Sequence, residues 1–357
     1  MAVYTAIDDP EKYFQVKLYA GDSTNHALTF DGDSDMSPNW IWIKERDGTI
    51  NYYNFDSVRG VGKRLQPNVN AAEDDTDSTW FQSFDSDGFS IGSEDNINDT
   101  GDNYAAWCWK ATGSTASNTD GTNITSTIDA NTTSGFSIVS WTGDNSGSST
   151  VGHGLGKVAE VVIVKNRADA QPMHMKHKDM AANAMADFDG DAAPSSRAGS
   201  TNGGLADLSG TTTFGFIAGS AGTVSTNGAS DAMIAYVFNS VQGFSKMGSY
   251  IGNGSTDGTF VYLGFRPAFV LTKKTSGSAG WYLWDNKRSP HNQIDKELYM
   301  DDDPETSGSS LGLDFLSNGF KWRASMSSRN ESGGTYVYTA FAEAPLVNSE
   351  GVPGNAR

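Results

Sequence analysis

Cysteine is almost absent from this chain: one residue in 357, Cys108, so no disulfide can close within it. Cys108 sits between Trp107 and Trp109, the setting of a small buried apolar residue and not of a nucleophile. Basic residues are scarce as well, 25 Lys and Arg against 43 Asp and Glu, for a formal net charge of −18. A nucleic-acid binder needs a basic stripe to displace counterions, so that class is excluded, as is binding to anionic membrane surfaces. No apolar run approaches the ~20 residues that span a bilayer, so no membrane insertion is expected. Residues 1–10 contain Asp8 and Asp9 and neither a basic nor an apolar stretch, so no signal peptide is expected and the chain is read as soluble and made in the cytoplasm. Helix-period runs of Ala, Leu, Glu and Lys are missing. So are a Gly-x-Ser-x-Gly elbow, a Walker loop and a dinucleotide glycine motif in the right setting, and no catalytic role is expected. The five histidines lack metal-ligand spacing. His174 and His177 fall on opposite faces of a strand and are read as surface residues.

What is abundant is turn chemistry and aromatic mass. Glycine numbers 40, and Ser, Thr, Asn and Asp crowd the segments between apolar runs, the residues that turns require. Nine Trp, 13 Tyr and 18 Phe supply strand cores. The acidity keeps an exposed protein soluble.

One block recurs three times. Trp40-Ile41-Trp42-Ile43-Lys44, Val161-Val162-Ile163-Val164-Lys165 and Phe269-Val270-Leu271-Thr272-Lys273 are β-favouring runs closed by lysine. Each follows a Gly-Asp or Gly-Asn turn: Gly21, Gly143 and Gly252 stand 23, 22 and 21 residues before the lysine. Each precedes a Gly-Phe pair, at Gly88, Gly215 and Gly319, and then an aromatic strand at 104–110, 232–238 and 336–342. Four landmarks in one order, three times over, define three tandem related units. The spacing exceeds the ~20–50 residues of a solenoid repeat and allows each unit a core of its own. The predicted fold is all-β: three tandem antiparallel β-sandwich units of the jelly-roll or lectin-like kind. The expected division is an arm at 1–13, unit one at 14–112, a polar linker or loop at 113–134, unit two at 135–240, unit three at 241–345 and a tail at 346–357. Asp47-Gly48 marks a hairpin after the first lysine strand, and the equivalent places of the other units carry the same pattern. The long polar excursions, such as 181–212, are where binding surfaces are expected.

Candidate sites are few. Asp31, Asp33 and Asp35 alternate like calcium-loop ligands, but Met36 stands where the helix-loop-helix calcium motif needs glycine and Trp42 where it needs glutamate. An acidic turn is the preferred reading and a structural Ca²⁺ the alternative; no other cofactor is expected. The acids at 187, 189 and 191 and at 301–305 form similar clusters. Trp281, Trp284, Tyr52 and Tyr53 flank hairpin turns and are the candidate sugar-stacking residues, since an aromatic face packs on a pyranose. Trp281 and Trp284 are three apart, which places them on opposite faces and turns one outward.

The pattern resembles virion proteins of marine tailed phages, of the tail-fibre-like or lectin-like repeated β-sandwich type. The residues that carry the resemblance are Asp8-Asp9-Pro10 with Tyr13-Phe14-Gln15-Val16-Lys17, the strands opened by Pro38 and Pro267 and closed by Lys44 and Lys273, and the ending Ala340-Phe341-Ala342-Glu343-Ala344-Pro345 with Asn355-Ala356-Arg357. They span nearly the whole chain; unit two departs most, with Gly156-Lys157-Val158-Ala159-Glu160 in place of the proline approach. The resemblance implies a non-enzymatic structural protein on the virion surface, as tail fibre, head fibre or decoration, in contact with host surface glycan. It implies partners among other virion proteins, met through the N-terminal arm and C-terminal tail, and a homo-oligomer, with a trimer favoured. The alternative is a carbohydrate-binding module or polysaccharide depolymerase of a tailspike.

Overall fold

The structure, a computed structural model, describes residues 4–300, 304–308 and 312–354. Among them the regular structure is β, with short helical turns at Pro10–Lys12, Asp95–Asn98, Val224–Asn227 and Ser327–Asn330. One strand order is built three times. In the first segment an opening strand (Phe14–Ala20) pairs with a closing strand (Asn103–Trp109), which pairs with the lysine strand (Trp40–Glu45), which pairs with a return strand (Tyr53–Asp56). The second segment repeats this with Phe136–Thr142, Ala232–Phe238, Val161–Asn166 and His174–His177. The third uses Ser245–Ile251, Thr335–Pro345, Phe265–Lys274 and Trp281–Asp285. Over each main sheet lies a three-stranded sheet: His26–Thr29, Gly88–Ile91 and Phe81–Asp85; Thr150–Gly152, Thr213–Ile217 and Gly204–Leu205; Phe260–Tyr262, Gly319–Trp322 and Leu313–Leu316. Every ladder in the seven sheets is antiparallel.

The lysine strands read as continuous apolar runs because both of their faces are covered. Successive side chains alternate across a sheet, so Ile41 and Ile43 face the first outer sheet with Phe89 and Ile91. Trp40 and Trp42 face the other way, into a cluster that also holds Phe136, Val161, Ile163 and Phe238 of the second segment and Phe269, Leu271 and Phe341 of the third. The first and second segments each keep a core of their own between main and outer sheet, as expected, but the inner faces of the three main sheets also share a single aromatic core, which the sandwich of the third segment joins. At its middle Trp109 lies 4.6 Å from Trp40, 5.7 Å from Phe269 and 5.7 Å from Phe341. The residual void there is about 10 Å³, at the threshold for one water.

The Gly-Asp and Gly-Asn landmarks have a physical cause. The three short helical turns that precede the closing strands each end in a fully buried asparagine, Asn98, Asn227 or Asn330. Its side chain holds the turn opposite: Asn98 Oδ1 accepts from the Asp22 amide (3.0 Å) and Asn330 Oδ1 from the Asn253 amide (3.0 Å), while Asn227 Nδ2 donates to Asp144 Oδ1 (2.6 Å). The turn presses on backbone there. A Cβ on Gly21 would come within 2.1 Å of Asp99 O, and one on Gly143 within 2.1 Å of Gly228 O. The Gly-Phe landmark needs one correction. Phe89 pairs with Leu28 and Phe320 with Val261, but in the second segment Phe214 is the residue opposite Val151. Its equivalent pair is Thr213-Phe214, two residues before Gly215-Phe216.

Residues 113–134 are not merely a linker. Ala116–Asn118 and Ser126–Asn131 form a hairpin that extends the second main sheet. The arm and tail, which lack a core pattern in the sequence, are also part of the fold. Ile7 enters the shared core at 5% exposure, the Ala6 amide donates to Gln242 O (2.9 Å), and Asp8 accepts from the Ser349 amide (2.7 Å).

Candidate functional site

The three segments meet along junctions built from equivalent positions. Twelve residues after Lys44 and Lys273 stand Asp56 and Asp285, each followed at the third position by an arginine, Arg59 and Arg288. All four side chains are fully buried. Each aspartate caps the turn that follows it, accepting from the amides of Val58 and Arg59 in one case and of Lys287 and Arg288 in the other. Each also reaches into a neighbouring segment. Tyr236 OH of the second segment donates to Asp56 Oδ2 (2.6 Å), and Trp107 Nε1 of the first donates to Asp285 Oδ2 (3.0 Å). Burial opposes the charge on Arg59 and Arg288, but Asp56 and Asp285 hold both guanidinium pKa values above the ordinary range.

A second clamp lies outside each pair. Glu73 binds Arg59 (3.2 Å) and takes Arg167 of the second segment in a bidentate pair (2.7 and 2.7 Å). Glu305 binds Arg288 (3.2 Å) and takes Arg46 of the first segment likewise (3.0 and 3.0 Å). Bidentate carboxylate–guanidinium pairs fix geometry as well as charge.

At the third junction the pattern changes. The residue equivalent to Asp56 and Asp285 is His177, opposite Val161 as Asp56 is opposite Trp40. Its Nδ1 accepts from the Asp179 amide (3.1 Å), so Nε2 carries the proton and donates to Tyr338 O of the third segment (3.2 Å). The first segment thus grips the second, the second the third, and the third the first. Burial lowers the His177 pKa to about 3, against the weaker pull of the Tyr338 carbonyl, and burial lowers His153 to about 4. Both stay neutral while the unfolded chain protonates near pH 6.5, so stability is full above that value and falls as pH drops through it. Linkage puts the loss at about 3 kcal/mol per histidine by pH 4. Urea unfolding at pH 7, 5.5 and 4 is expected to show this decline, and His177→Gln to reduce its slope by about one proton.

The three lysines that mark the repeat are all fully buried. They lie on the inner face, two positions beyond Trp42, Ile163 and Leu271, and donate to carbonyls of the hairpin that follows. Lys44 Nζ donates to Gly48 O (2.9 Å) and Ile50 O (2.7 Å), Lys165 to Gln171 O, and Lys273 to Ala279 O (2.6 Å) and Gly190 O (3.3 Å). Burial lowers Lys165 and Lys273 to about 8, with Asp189 and Asp191 respectively opposing. Residues 187–191 cross this end of the core. Phe188 stacks on Trp281 at 4.5 Å, and Asp187 is held down to about 2 by His174 and Arg197 in spite of its burial.

The candidate sugar-stacking residues are not at the surface. Trp281 (2% exposed), Trp284 (0%), Tyr52 (0%) and Tyr53 (3%) are all buried. Trp281 Nε1 donates to Asp187 O (2.8 Å), Tyr52 OH to Tyr299 O (2.5 Å), Trp284 lies edge-on to Trp322 and Tyr53 to Trp80. A spacing of three does split the faces, but both faces of the third main sheet are covered. His174 and His177 are buried for the same reason, which corrects their reading as surface residues. Asp31, Asp33 and Asp35 are exposed, and Asp31 pairs with Lys17 (2.7 Å). Among the described residues no group of three or more His, Cys, Asp or Glu side chains is arranged to hold a metal ion. Residues 301–303 of the other acidic cluster lie outside the described residues. Cys108 is buried as expected, and burial pushes its thiol pKa up.

Two open clefts lie at the surface. One, of about 710 Å³, gathers Asp8, Asp9, Glu11, Asp33 and Glu343 around Arg266 and Lys287. Four of its five carboxylates are already engaged: Glu343 with Arg266 (2.7 Å), Asp9 with Ser34 (2.5 Å), Glu11 with the Asp33 amide (2.8 Å) and Asp8 with the Ser349 amide (2.7 Å). The other, of about 750 Å³, runs between the second and third segments along Ser249, Tyr250 and Ile251. It opens where the junction has Thr275 in the place of Arg46 and Arg167.

These features define an all-β protein of sandwich-like antiparallel sheets closed around one aromatic core by polar clamps. The chain belongs to the family described as Domain of unknown function (DUF7483), whose model matches residues 9–345. No curated protein and no solved structure matches it.

Proposed function

We propose that the protein is a non-enzymatic structural component of a bacteriophage particle, made in the bacterial cytoplasm and displayed at the virion surface. The observation that carries this reading is the closed cycle of junctions, in which Asp56, His177 and Asp285 each grip the next segment. Head-to-tail contacts that close on themselves are how cyclic oligomers are built; here three related units of one chain stand in for the three chains of a trimer. An assembly of that symmetry suits a fibre, spike or decoration site, and the resemblance of residues 8–17 and 340–345 to phage virion proteins points the same way. The arm and tail meet at Asp8 and Ser349, so contacts to neighbouring virion proteins made through them would come from one patch. The alternative, a glycan-binding module or depolymerase, has lost the aromatic faces on which it rested.

Two measurements decide between these readings. Mass spectrometry of purified particles is expected to find the protein, and antibody raised against it to label intact particles. Its absence from particles would end the structural reading. A glycan array with and without EDTA is expected to show no micromolar binding; binding or release of sugar would favour the alternative.

A further inference from the structure

Edge strands carry unpaired backbone groups, and proteins cover them, shorten them or load them with charge. The three opening strands are treated in three ways. In the second segment Phe136–Thr142 is covered, because Ser126–Asn131 pairs along it with Thr127 opposite Ser140. The covering hairpin also lies on the outer strand. Ser126 Oγ donates to Gly152 O (2.8 Å), the Thr150 amide donates to Thr122 O (3.1 Å), and a Cβ on Gly152 would come within 1.7 Å of Asn118 Oδ1. In the first segment the edge is guarded by the Lys17–Asp31 pair, and its outer strand turns only Ala27 and Thr29 outward.

The third segment has no covering hairpin, and its edge lysine, Lys246, sits toward the start of the strand, where its Nζ donates to Tyr262 O (2.7 Å) and lies 5.4 Å from the Tyr262 ring centroid. Ser245–Ile251 pairs on one side with Thr335–Pro345, and its outer strand carries Phe260 and Tyr262 at the positions of Thr150 and Gly152. These are 44% and 54% exposed, beside Ile251 at 62%. The Ala342 amide donates to Phe244 O and the Gly252 amide to Gly334 O. Antiparallel alternation then turns the N–H and C=O of Ser249, the equivalent of Ser140, away from the sheet. They face the cleft of about 750 Å³ described above. The threonine hydroxyls around that cleft are engaged already: Thr259 with Ile251 O (2.8 Å), Thr275 with Thr335 (2.8 Å). What is left to bond is the backbone and hydroxyl of Ser249, flanked by the apolar Ile251, Phe260 and Tyr262.

We propose that this edge takes an extended, Ser/Thr-rich strand from another protein chain, added antiparallel along Ser249 as Ser126–Asn131 is added along Ser140. Ser245 already pairs with Val241 and the Met247 amide donates to Ser240 Oγ (3.0 Å), so the open stretch is 247–251, room for roughly four residues of partner at ~3.3 Å each. Phe260 and Tyr262 supply the apolar contact that small residues give in the covered segment. This inference stands independently of the particle assignment.

The probe is a labelled peptide with the sequence of residues 124–133, the strand that fills the equivalent edge, titrated into the full chain and followed by fluorescence anisotropy. Saturable binding is expected below about 1 mM, with slowed hydrogen exchange at the Ser249 and Ile251 amides. Ser249→Pro removes the donor and is expected to abolish binding. Tyr262→Ser, at the exposed surface and harmless to the fold, is expected to weaken it roughly tenfold; should the proline variant misfold, this variant and the exchange measurement decide. No binding at about 1 mM, or binding that neither variant alters, overturns the proposal. So does an oligosaccharide that binds this cleft and is lost with Thr275→Ala, since the occupant would then be a sugar.

Discussion

Trp109→Ala is expected to lower the unfolding free energy by about 3–5 kcal/mol, the range for deleting a large aromatic from a packed core. It should do so for all three main sheets in one transition. The reason is the position of the ring: its neighbours are Phe14 (5.1 Å) and Trp40 on its own segment, Phe238 (6.5 Å) on the second, and Phe269 and Phe341 on the third. A chain of independent sandwiches would lose only its first unit and would unfold in separate steps. Urea unfolding followed by near-ultraviolet circular dichroism and by hydrogen exchange in each segment distinguishes the two. Coincident transitions in wild type and variant are the expected result; a variant whose second and third segments unfold at the wild-type midpoint would remove the shared core from the account.

The second large effect concerns the junctions. Asp285→Ala takes from the buried Arg288 guanidinium the nearer of its two carboxylates, leaving Glu305 at 3.2 Å, and leaves Trp107 Nε1 without its acceptor. Removing one partner of a buried pair costs about 3–5 kcal/mol, because the remaining charge cannot be hydrated. Asp56→Ala is expected to cost a similar amount by leaving Arg59 with Glu73 (3.2 Å) as its remaining carboxylate and Tyr236 OH without its carboxylate acceptor. His177→Gln, at the equivalent position, strands no charge and retains a donor toward Tyr338 O; its cost is expected to be about 1 kcal/mol. Chemical denaturation at pH 7 measures all three. Equal losses at the three positions would show that the clamps are not what separates the third junction from the other two.

The change of pattern at the third junction and the open cleft beside it share a cause. Where the first and third segments send Glu73 and Glu305 to an arginine of the next segment, the second segment meets Thr275. A threonine cannot span the gap that two long charged side chains close, so the surface stays open along Ser249. Sequence divergence at two positions thereby leaves one edge accessible while the other junctions are sealed.

Much of this was legible in the chain before any coordinates. The runs ending in Lys44, Lys165 and Lys273 are strands, each pairs with its successor as a hairpin, and the aromatic strand downstream pairs with it. The Asp-x-x-Arg motif was equally visible, twelve residues past two of the three lysines, but its partners lie about 180 residues away, at Tyr236 and Trp107, and no local pattern points to them. The landmark glycines were legible as turns; that they yield to a buried asparagine some 75 to 85 residues on was not.

Composition and period-2 patterning alone determined that this protein is all-β, that its lysine strands are hairpin members, and that one motif recurs three times, because those properties depend on neighbours in sequence. Which side chains meet solvent was decided only by tertiary structure. An alternating strand looks the same whether one face is wet or both are covered, and here a sheet from the next segment covers the second face. That is why Trp281, Trp284, Tyr52, Tyr53 and His177 are interior groups, and why, of the exposed aromatics among the described residues, Phe260 and Tyr262 lie on an edge that no described strand covers.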